Sequence, residues 1–188
     1  MRKNLKVETM MYPMPVLIIG TFDKDGVPNA MNAAWGGIYD YNKVMVCLSS
    51  HKTTDNIRLN KEFTIAFATS ETVGASDYVG LVSGNKVPNK VEKAGLTFVK
   101  GEKTNAPIFN EYPLALECRV SEIINEGEGG GNVVADIVNV SVDESILTNG
   151  KVDYHKAHFL TYDPVTHRYV ELGEEVADAF KVGVKFAK

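Results

Sequence analysis

A run of hydroxyl and basic side chains in the first third of the sequence has the residue types of an anion-binding segment. Its members are Ser49, Ser50, His51, Lys52, Thr53 and Thr54. A short helical pattern at 55–61 follows them. Backbone N–H groups at a helix start carry partial positive charge, and hydroxyls and a lysine add further donors. The run therefore predicts a phosphate-binding site. It also fits a solvent-exposed turn in which Thr53 or Thr54 caps the helix.

Small side chains beside the only tryptophan of the chain form a second candidate segment. Its members are Asn32, Ala33, Ala34 and Trp35. Small side chains let a flat ring lie close to the backbone, whose N–H and C=O groups can hydrogen-bond to the polar edge of the ring. The alternative is a tight strand crossing with Trp35 in the core, which is the usual place for a single tryptophan.

A loop at 83–90 is the third candidate, because it carries a hydroxyl, two lysines and residues that break regular structure. It could bring Ser83, Gly84 and Lys90 to a phosphate or to a polyol chain. Ser, Gly and Lys are also common in surface loops that bind nothing. Taken alone, the loop leaves both interpretations open.

These segments must be positioned by the strands and helices that the hydrophobic pattern predicts. We expect helices at 55–61, 70–81 and 171–180, and strands at 16–22, 27–35, 44–48, 63–68, 114–122 and 133–142. A tight turn at 23–26 joins the first two strands as a hairpin, and a glycine-rich loop at 125–132 joins the last two. Many short strands with hairpin turns favour a mainly antiparallel β barrel with peripheral helices.

Composition and charge favour one folded domain and restrict its partners. The 188 residues, 44% hydrophobic and 23% charged, predict a single domain over 1–188. A net charge of -4 and a pI of about 5.6 disfavour binding to nucleic acid or to anionic lipid. Any phosphate must therefore be held by a local cluster of donors and cations.

Neither export nor membrane insertion is predicted. The basic segment 1–8 is not followed by the apolar stretch of roughly 7 to 15 residues that a secretory signal needs. The run at 16–19 is much shorter than the roughly 20 residues of a membrane span. We therefore expect a cytoplasmic protein.

The cysteines and histidines do not predict a metal site. Cys47 and Cys118 lie far apart in apolar runs, without the spacing of zinc ligands or redox dithiols, so we expect both in the core. His155, His158 and His167 are scattered and lack nearby carboxylates at ligand spacing.

In their order along the chain, these segments resemble the flavin-reductase-like family, which has an FMN-binding split-barrel fold and includes flavoredoxins. The resemblance covers nearly the whole chain, at 15–21, 25–29, 32–35, 52–57, 83–90, 106–108, 116–118, 162–163 and 169–173. At position 52, where this chain has Lys52, the family often has arginine. The ordered set, and not any single motif, carries the resemblance.

The resemblance implies a Greek-key antiparallel split β barrel that forms a homodimer, with one FMN per subunit near the dimer boundary. The isoalloxazine ring would lie by Asn32, Ala33, Ala34 and Trp35. The phosphate would sit among Ser49, Ser50, Lys52, Thr54, Ser83 and Lys90, with Thr53 and Gly84 completing the predicted cofactor-binding set.

One departure bears on the reaction. Family members that reduce free flavin with NADH often carry an Asp-His pair before the strand at 133–142, whereas this chain has Gly129, Gly130, Gly131 and Asn132. We therefore assign no catalytic residue. We expect an oxidoreductase that moves electrons between bound FMN and a second reactant. That reactant is a reduced nicotinamide, NADH or NADPH, or a protein redox partner. The alternatives are a non-enzymatic FMN electron carrier and a dimeric barrel that binds another phosphate-bearing ligand.

Overall fold

Strands dominate the structure, a computed structural model that describes residues 1–127 and 129–187. The helices are α1 (Lys52–Asn60), α2 (Val73–Leu81), α3 (Lys90–Lys93) and α4 (Tyr154–Ala157), with 3-10 turns at Glu144–Ile146 and Val184–Phe186. The strands are β1 (Met14–Pro15), β2 (Leu17–Phe22), β3 (Pro28–Ala33), β4 (Gly36–Asp40), β5 (Lys43–Ser49), β6 (Glu62–Phe67), β7 (Phe98–Lys100), β8 (Pro107–Phe109), β9 (Leu114–Gly127), β10 (Gly130–Val142), β11 (Leu147–Thr148), β12 (Lys151–Val152), β13 (Leu160–Asp163) and β14 (Arg168–Glu171).

A seven-stranded antiparallel sheet in the order β3-β2-β6-β9-β10-β5-β4 forms the main body. Smaller sheets pair β1 with β13 and β14, β7 with β8, and β11 with β12. The predicted hairpin at 23–26 joins β2 to β3, and Gly26 supplies the φ of +77° that its turn needs. The prediction of a mainly antiparallel β fold with peripheral helices is confirmed.

Strands β2 and β6 of the main sheet are buried on both faces. Ile18 and Ile19 are adjacent in β2, and both are 0% exposed. Ile18 packs in a cluster with Ala66 and Phe109, whereas Ile19 packs on the opposite face in a cluster with Ile65. Burial on both faces explains why this strand is a continuous apolar run without polar alternation.

Helix α2 lies against β3, the edge strand in which the second candidate segment begins. The Asn32 side-chain amide donates a hydrogen bond to the Ser76 carbonyl at 3.0 Å. A Cβ atom built on Gly80 would stand 3.0 Å from the Asn32 Cβ atom, which is closer than ordinary packing. The missing side chain of Gly80 therefore permits this close approach.

The predicted C-terminal helix at 171–180 is wrong. Glu171 ends strand β14, and residues 172–178 form no regular secondary structure. Every residue from 172 to 187 is exposed, so this segment buries no apolar face against the rest of the chain. A short helix without such packing is marginal in water.

The connection between β9 and β10 is shorter than the predicted loop at 125–132. Strand β9 extends to Gly127 and β10 begins at Gly130, whose φ is +114°. A Cβ atom at Gly130 would overlap the Leu48 carbonyl oxygen of β5, so the glycine permits the strands to pair here. Glu128, which belongs to the predicted loop, lies outside the described residues.

Among the helices in residues 1–127 and 129–187, none is long and apolar enough to cross a bilayer.

Two glycines of α2 allow a matched test of the contact with β3. A Cβ atom built on Gly74 has no neighbouring atom within 4 Å. Gly74→Ala should therefore raise the free energy of unfolding by about 0.5 to 1 kcal/mol, because alanine has the higher helix propensity. Gly80→Ala should instead lower the free energy of unfolding by about 1 kcal/mol, because overpacking against Asn32 outweighs the gain in helix propensity. Urea unfolding measures both variants, and equal stabilisation would show that Gly80 is not needed for the contact.

Candidate functional site

Two adjoining cavities lie at the edge of the main sheet, one beside β13 and β14 and the other beside α1 and α2. The first, of about 300 Å³ and here called the tyrosine cavity, is lined by Met31, Asn32, Ala33, Ala34, Trp35, Cys47, Leu48, Ser49, His51, Tyr162 and Tyr169. The second, of about 220 Å³ and here called the lysine cavity, is lined by Asn29, Met31, Asn32, His51, Lys52, Thr53, Val79, Gly80, Leu81, Val82, Ser83, Gly84 and Lys90. Shared residues in both linings make the cavities neighbours in one depression of the surface.

Helix α1 begins three residues earlier than predicted, and its start forms part of the lysine cavity. His51 is the N-cap residue, with extended backbone and no capping bond from its side chain. The Thr54 hydroxyl donates to the Ser49 carbonyl at 2.6 Å, and the Thr53 hydroxyl accepts from the Asn29 amide at 2.7 Å. Both threonines lie inside the helix, so the alternative in which they cap it is wrong. The first N–H groups of α1 have no partners within the helix.

Lys52 reaches from the first turn of α1 to the β2–β3 hairpin. Its ammonium group lies 3.0 Å from Asp23 Oδ2. The other oxygen of Asp23 accepts the backbone N–H groups of Asp25 and Val27, each at 2.9 Å. Burial raises the pKa of Asp23, but the bonds from Val27 and Lys52 outweigh burial and leave this pKa below its usual value.

Lys90, in the lining of the lysine cavity, stabilises the C-terminal end of α2. It is 3% exposed, and its ammonium group donates to the carbonyl oxygens of Val79 and Val82, both at 3.0 Å. Val79 belongs to the last turn of α2 and Val82 is its C-cap residue, so neither carbonyl has a partner within the helix. Burial lowers the pKa of Lys90 to about 8, since desolvation disfavours the charged form.

Asn29 lines the same cavity and has an unpaired, buried side-chain acceptor. Its Nδ2 group donates to Thr53, whereas its buried Oδ1 atom has no hydrogen-bond partner in the described part of the chain. A Cβ atom at Gly84 would overlap this oxygen, so only glycine fits there without a shift. A buried acceptor without a partner is costly, and a ligand hydroxyl or other donor would remove that cost.

The tyrosine cavity combines small residues, aromatic rings and one anchored amide. Trp35 is 49% exposed, so the alternative that places it in the core is wrong. Besides Ser76, the Asn32 amide contacts the Tyr169 hydroxyl at 3.3 Å, and that hydroxyl donates to Asp77 Oδ1 at 2.8 Å. Burial, together with Asp77, raises the pKa of Tyr169 to about 12, so this phenol stays neutral near pH 7.

The structure brings most of the predicted site residues to one of the two cavities. Ser49, Ala33, Ala34 and Trp35 line the tyrosine cavity, and Asn32 lines both. The lining of the lysine cavity includes Lys52, Thr53, Ser83, Gly84 and Lys90. Ser50 and Thr54 belong to neither lining, because Ser50 faces outward and Thr54 points back to Ser49.

Sequence reasoning missed several lining residues. Asn29 lies in the predicted strand at 27–35, and its polar side chain at a strand position was the available signal. His51 belongs to the predicted phosphate-binding run but not to the predicted cofactor-binding set. Tyr162 and Tyr169 come from β13 and β14, more than 100 positions further along the chain, and no local pattern links them to the cavity.

The two cysteines have different surroundings. Cys118 is buried as expected, and burial raises its pKa to about 12. Cys47 is only half-buried and lines the tyrosine cavity, so its prediction as a core residue is wrong. Within residues 1–127 and 129–187, the His, Cys, Asp and Glu side chains form no cluster of three or more that could hold a metal ion.

Comparison with known proteins identifies the fold and the family. The chain superposes on the flavoredoxin of Desulfovibrio vulgaris (Miyazaki F) with a TM-score of 0.91 and 35% identity, covering 97% of this chain and 100% of that one. It superposes on the flavoredoxin of Methanosarcina acetivorans with a TM-score of 0.89 and 31% identity, covering 98% and 100%. A protein of Archaeoglobus fulgidus is 31% identical over 149 residues, which are 76% of this chain and 80% of that protein.

These likenesses confirm the predicted split-barrel fold. The model of the flavin reductase like domain matches residues 9–162, which include β3, α1, α2 and the linings of both cavities up to Tyr162. The chain therefore belongs to the flavin reductase-like domain family.

Proposed function

We propose that this protein binds FMN across the two cavities and is an oxidoreductase that moves electrons between FMN and a reduced nicotinamide. The observation that carries this proposal is the set of groups that meet in the lysine cavity. Two lysines, the start of α1 and an unpaired acceptor converge beside a second cavity lined by small and aromatic residues. Such a combination suits a ligand with an anionic end, hydroxyl groups and a flat ring.

The lysine cavity fits a phosphate and the polyol chain attached to it. Lys52 and the first turn of α1 supply positive charge and N–H donors. Ser83 adds a hydroxyl, and Gly84 leaves room beside Asn29. The unpaired Asn29 Oδ1 atom is an acceptor for a ribityl hydroxyl. The residues present therefore fit FMN better than a flavin that lacks the phosphate.

The tyrosine cavity fits the isoalloxazine ring. Ala33 and Ala34 let a flat ring approach the backbone, and Trp35 and Tyr169 offer aromatic surface. Asn32 holds a fixed orientation because its amide is bonded to Ser76 and Tyr169. These side chains orient the ring and exclude water from one face of it.

When bound, FMN supplies the hydride and electron chemistry of the reaction. The protein binds, orients and shields it. A second function, electron transfer between FMN and a protein partner without nicotinamide oxidation, is favoured by the glycines at 129–131. These residues line a further cavity beside Trp35 and Cys47, and they offer no side chain to position a nicotinamide.

Lys52→Ala should weaken FMN binding roughly 10- to 100-fold, since a charge-assisted hydrogen bond contributes roughly 1.5 to 3 kcal/mol. Riboflavin, which has the same ring and no phosphate, should bind the variant and the original chain alike. Titration followed by flavin fluorescence measures both ligands.

Lys86→Ala is the matched control for Lys52→Ala. Lys86 lies exposed in the loop after α2 and outside the lining of the lysine cavity, so its loss removes one positive charge without removing a lining side chain. FMN affinity should stay within about twofold of the original in this control. Equal losses in the two lysine variants, or none in Lys52→Ala, would refute the assignment of the phosphate to this cavity.

FMN affinity should fall as the pH rises from 7 to 9. Lys90 loses its proton near pH 8, which removes a positive charge from the lysine cavity. Because bound phosphate favours the charged form, the dissociation constant should rise by up to about tenfold per pH unit above pH 8. Lys90→Met should bind FMN more weakly with no such dependence, and riboflavin should show none with either chain. The same slope in Lys90→Met would assign the dependence to another group.

Anaerobic addition of NADH or NADPH to the FMN-loaded protein should bleach the visible absorbance of the oxidised flavin. Complete bleaching within the time of mixing by hand supports the oxidoreductase. Reduction by dithionite, together with no reaction with either nicotinamide, would contradict it and favour the electron carrier instead.

A further inference from the structure

We propose that Asp23 limits the affinity for the FMN phosphate by competing with it for Lys52, so that FMN exchanges with solution instead of staying permanently bound. This inference rests on the proposed function, because it assumes that the phosphate lies in the lysine cavity. It assigns a role to a residue of the β2–β3 hairpin that belongs to neither cavity lining.

Asp23 is held in place by the turn that it helps to form. Its Oδ1 atom accepts the N–H groups of Asp25 and Val27, and the backbone of Asp23 bonds to Val27 and Gly26 as well. These bonds direct the other oxygen, Oδ2, towards the Lys52 ammonium group at 3.0 Å. The carboxylate cannot turn away from Lys52 without straining or losing the two hydrogen bonds to its Oδ1 atom.

Lys52 therefore faces two anions when phosphate is bound. Its side chain lines the lysine cavity, and its Cγ atom lies 3.3 Å from the place where a Cβ of Gly84 would stand. Its ammonium group is bonded to a carboxylate before any ligand arrives. A phosphate must share the lysine with Asp23 and must also tolerate a negative charge close to its own.

Lys90, the other lysine of the cavity, does not fully compensate for the attraction to Lys52 that the phosphate loses to Asp23. Lys90 donates to Val79 and Val82, and those bonds hold the end of α2. The ion pair of Lys52 with Asp23 is only partly exposed, with side chains that are 30% and 13% accessible. Water therefore screens the repulsion between carboxylate and phosphate less than it would at an open surface.

Asp23→Asn isolates the charge, because the amide oxygen still accepts the two turn N–H groups. This variant should bind FMN about tenfold more tightly, with a correspondingly slower release of FMN, while riboflavin affinity changes by less than about twofold. Titration gives the affinities, and stopped-flow dilution gives the release rate. Asp23→Ser keeps a side-chain acceptor for the turn and should also bind FMN more tightly than the original chain.

Asp25→Asn is the matched control, since it removes the same charge from the same turn. Asp25 pairs with the exposed Lys24 at 2.7 Å, whereas Lys52 pairs with Asp23. Its FMN affinity should equal that of the original chain within about twofold.

The outcomes separate this inference from the proposed function. Unchanged or weaker FMN binding in folded Asp23→Asn and Asp23→Ser would overturn the inference and would make Asp23 a residue that positions Lys52 for the ligand. Equal tightening in Asp25→Asn would also overturn it, because the effect would then be one of net charge. Failure of the original chain to bind FMN would instead refute the proposed function, and the inference with it.

Discussion

The close contact between α2 and β3 determines where the candidate ligand-binding groups lie. Gly80 lets the helix approach Asn32, and Asn32 bonds to the Ser76 carbonyl in return. Lys90 then holds the last turn of α2 through two carbonyls. Because the helix end is fixed, Ser83 and Gly84 reach the start of α1 and form the lysine cavity with it. The same contact places Asn32 between the two cavities.

Electrostatics at this site are local, as the acidic composition of the chain requires. The cations near the lysine cavity already have partners: Lys52 is paired with Asp23, and Lys90 bonds to backbone oxygens. A ligand phosphate therefore depends on the donors that remain, which include the first N–H groups of α1, the Ser83 hydroxyl and the share of Lys52 that Asp23 leaves. In this account, the protein combines selectivity for a phosphate-bearing flavin with moderate affinity for it.

The sequence allowed the prediction of elements whose pattern is set by local burial. Strands β2, β5, β6, β9 and β10 and helix α2 follow from apolar runs that the core then buries. Four of the six residues predicted at the phosphate line the two cavities, because they belong to segments that the fold brings together. The segment after β14 could not be predicted, since its pattern is helical but nothing in the described chain buries it.

Other features depend on distant parts of the chain. Tyr169 reaches the site through the pairing of β14 with β13, and the ion pair of Asp23 with Lys52 depends on how α1 packs beside the hairpin. Neither leaves a signal in local spacing. The homodimer, the single domain over 1–188 and the cytoplasmic location stay predictions, because they concern assembly, autonomy and cell context, which the contacts within one chain do not test.

The most direct test of this account is a crystal structure of the protein with FMN bound. We predict a phosphate within hydrogen-bond distance of Lys52, the first N–H groups of α1 and Ser83, with the isoalloxazine ring beside Ala33 and Ala34. A phosphate bound outside the lysine cavity, or a ring that does not contact the segment 32–35, would contradict it.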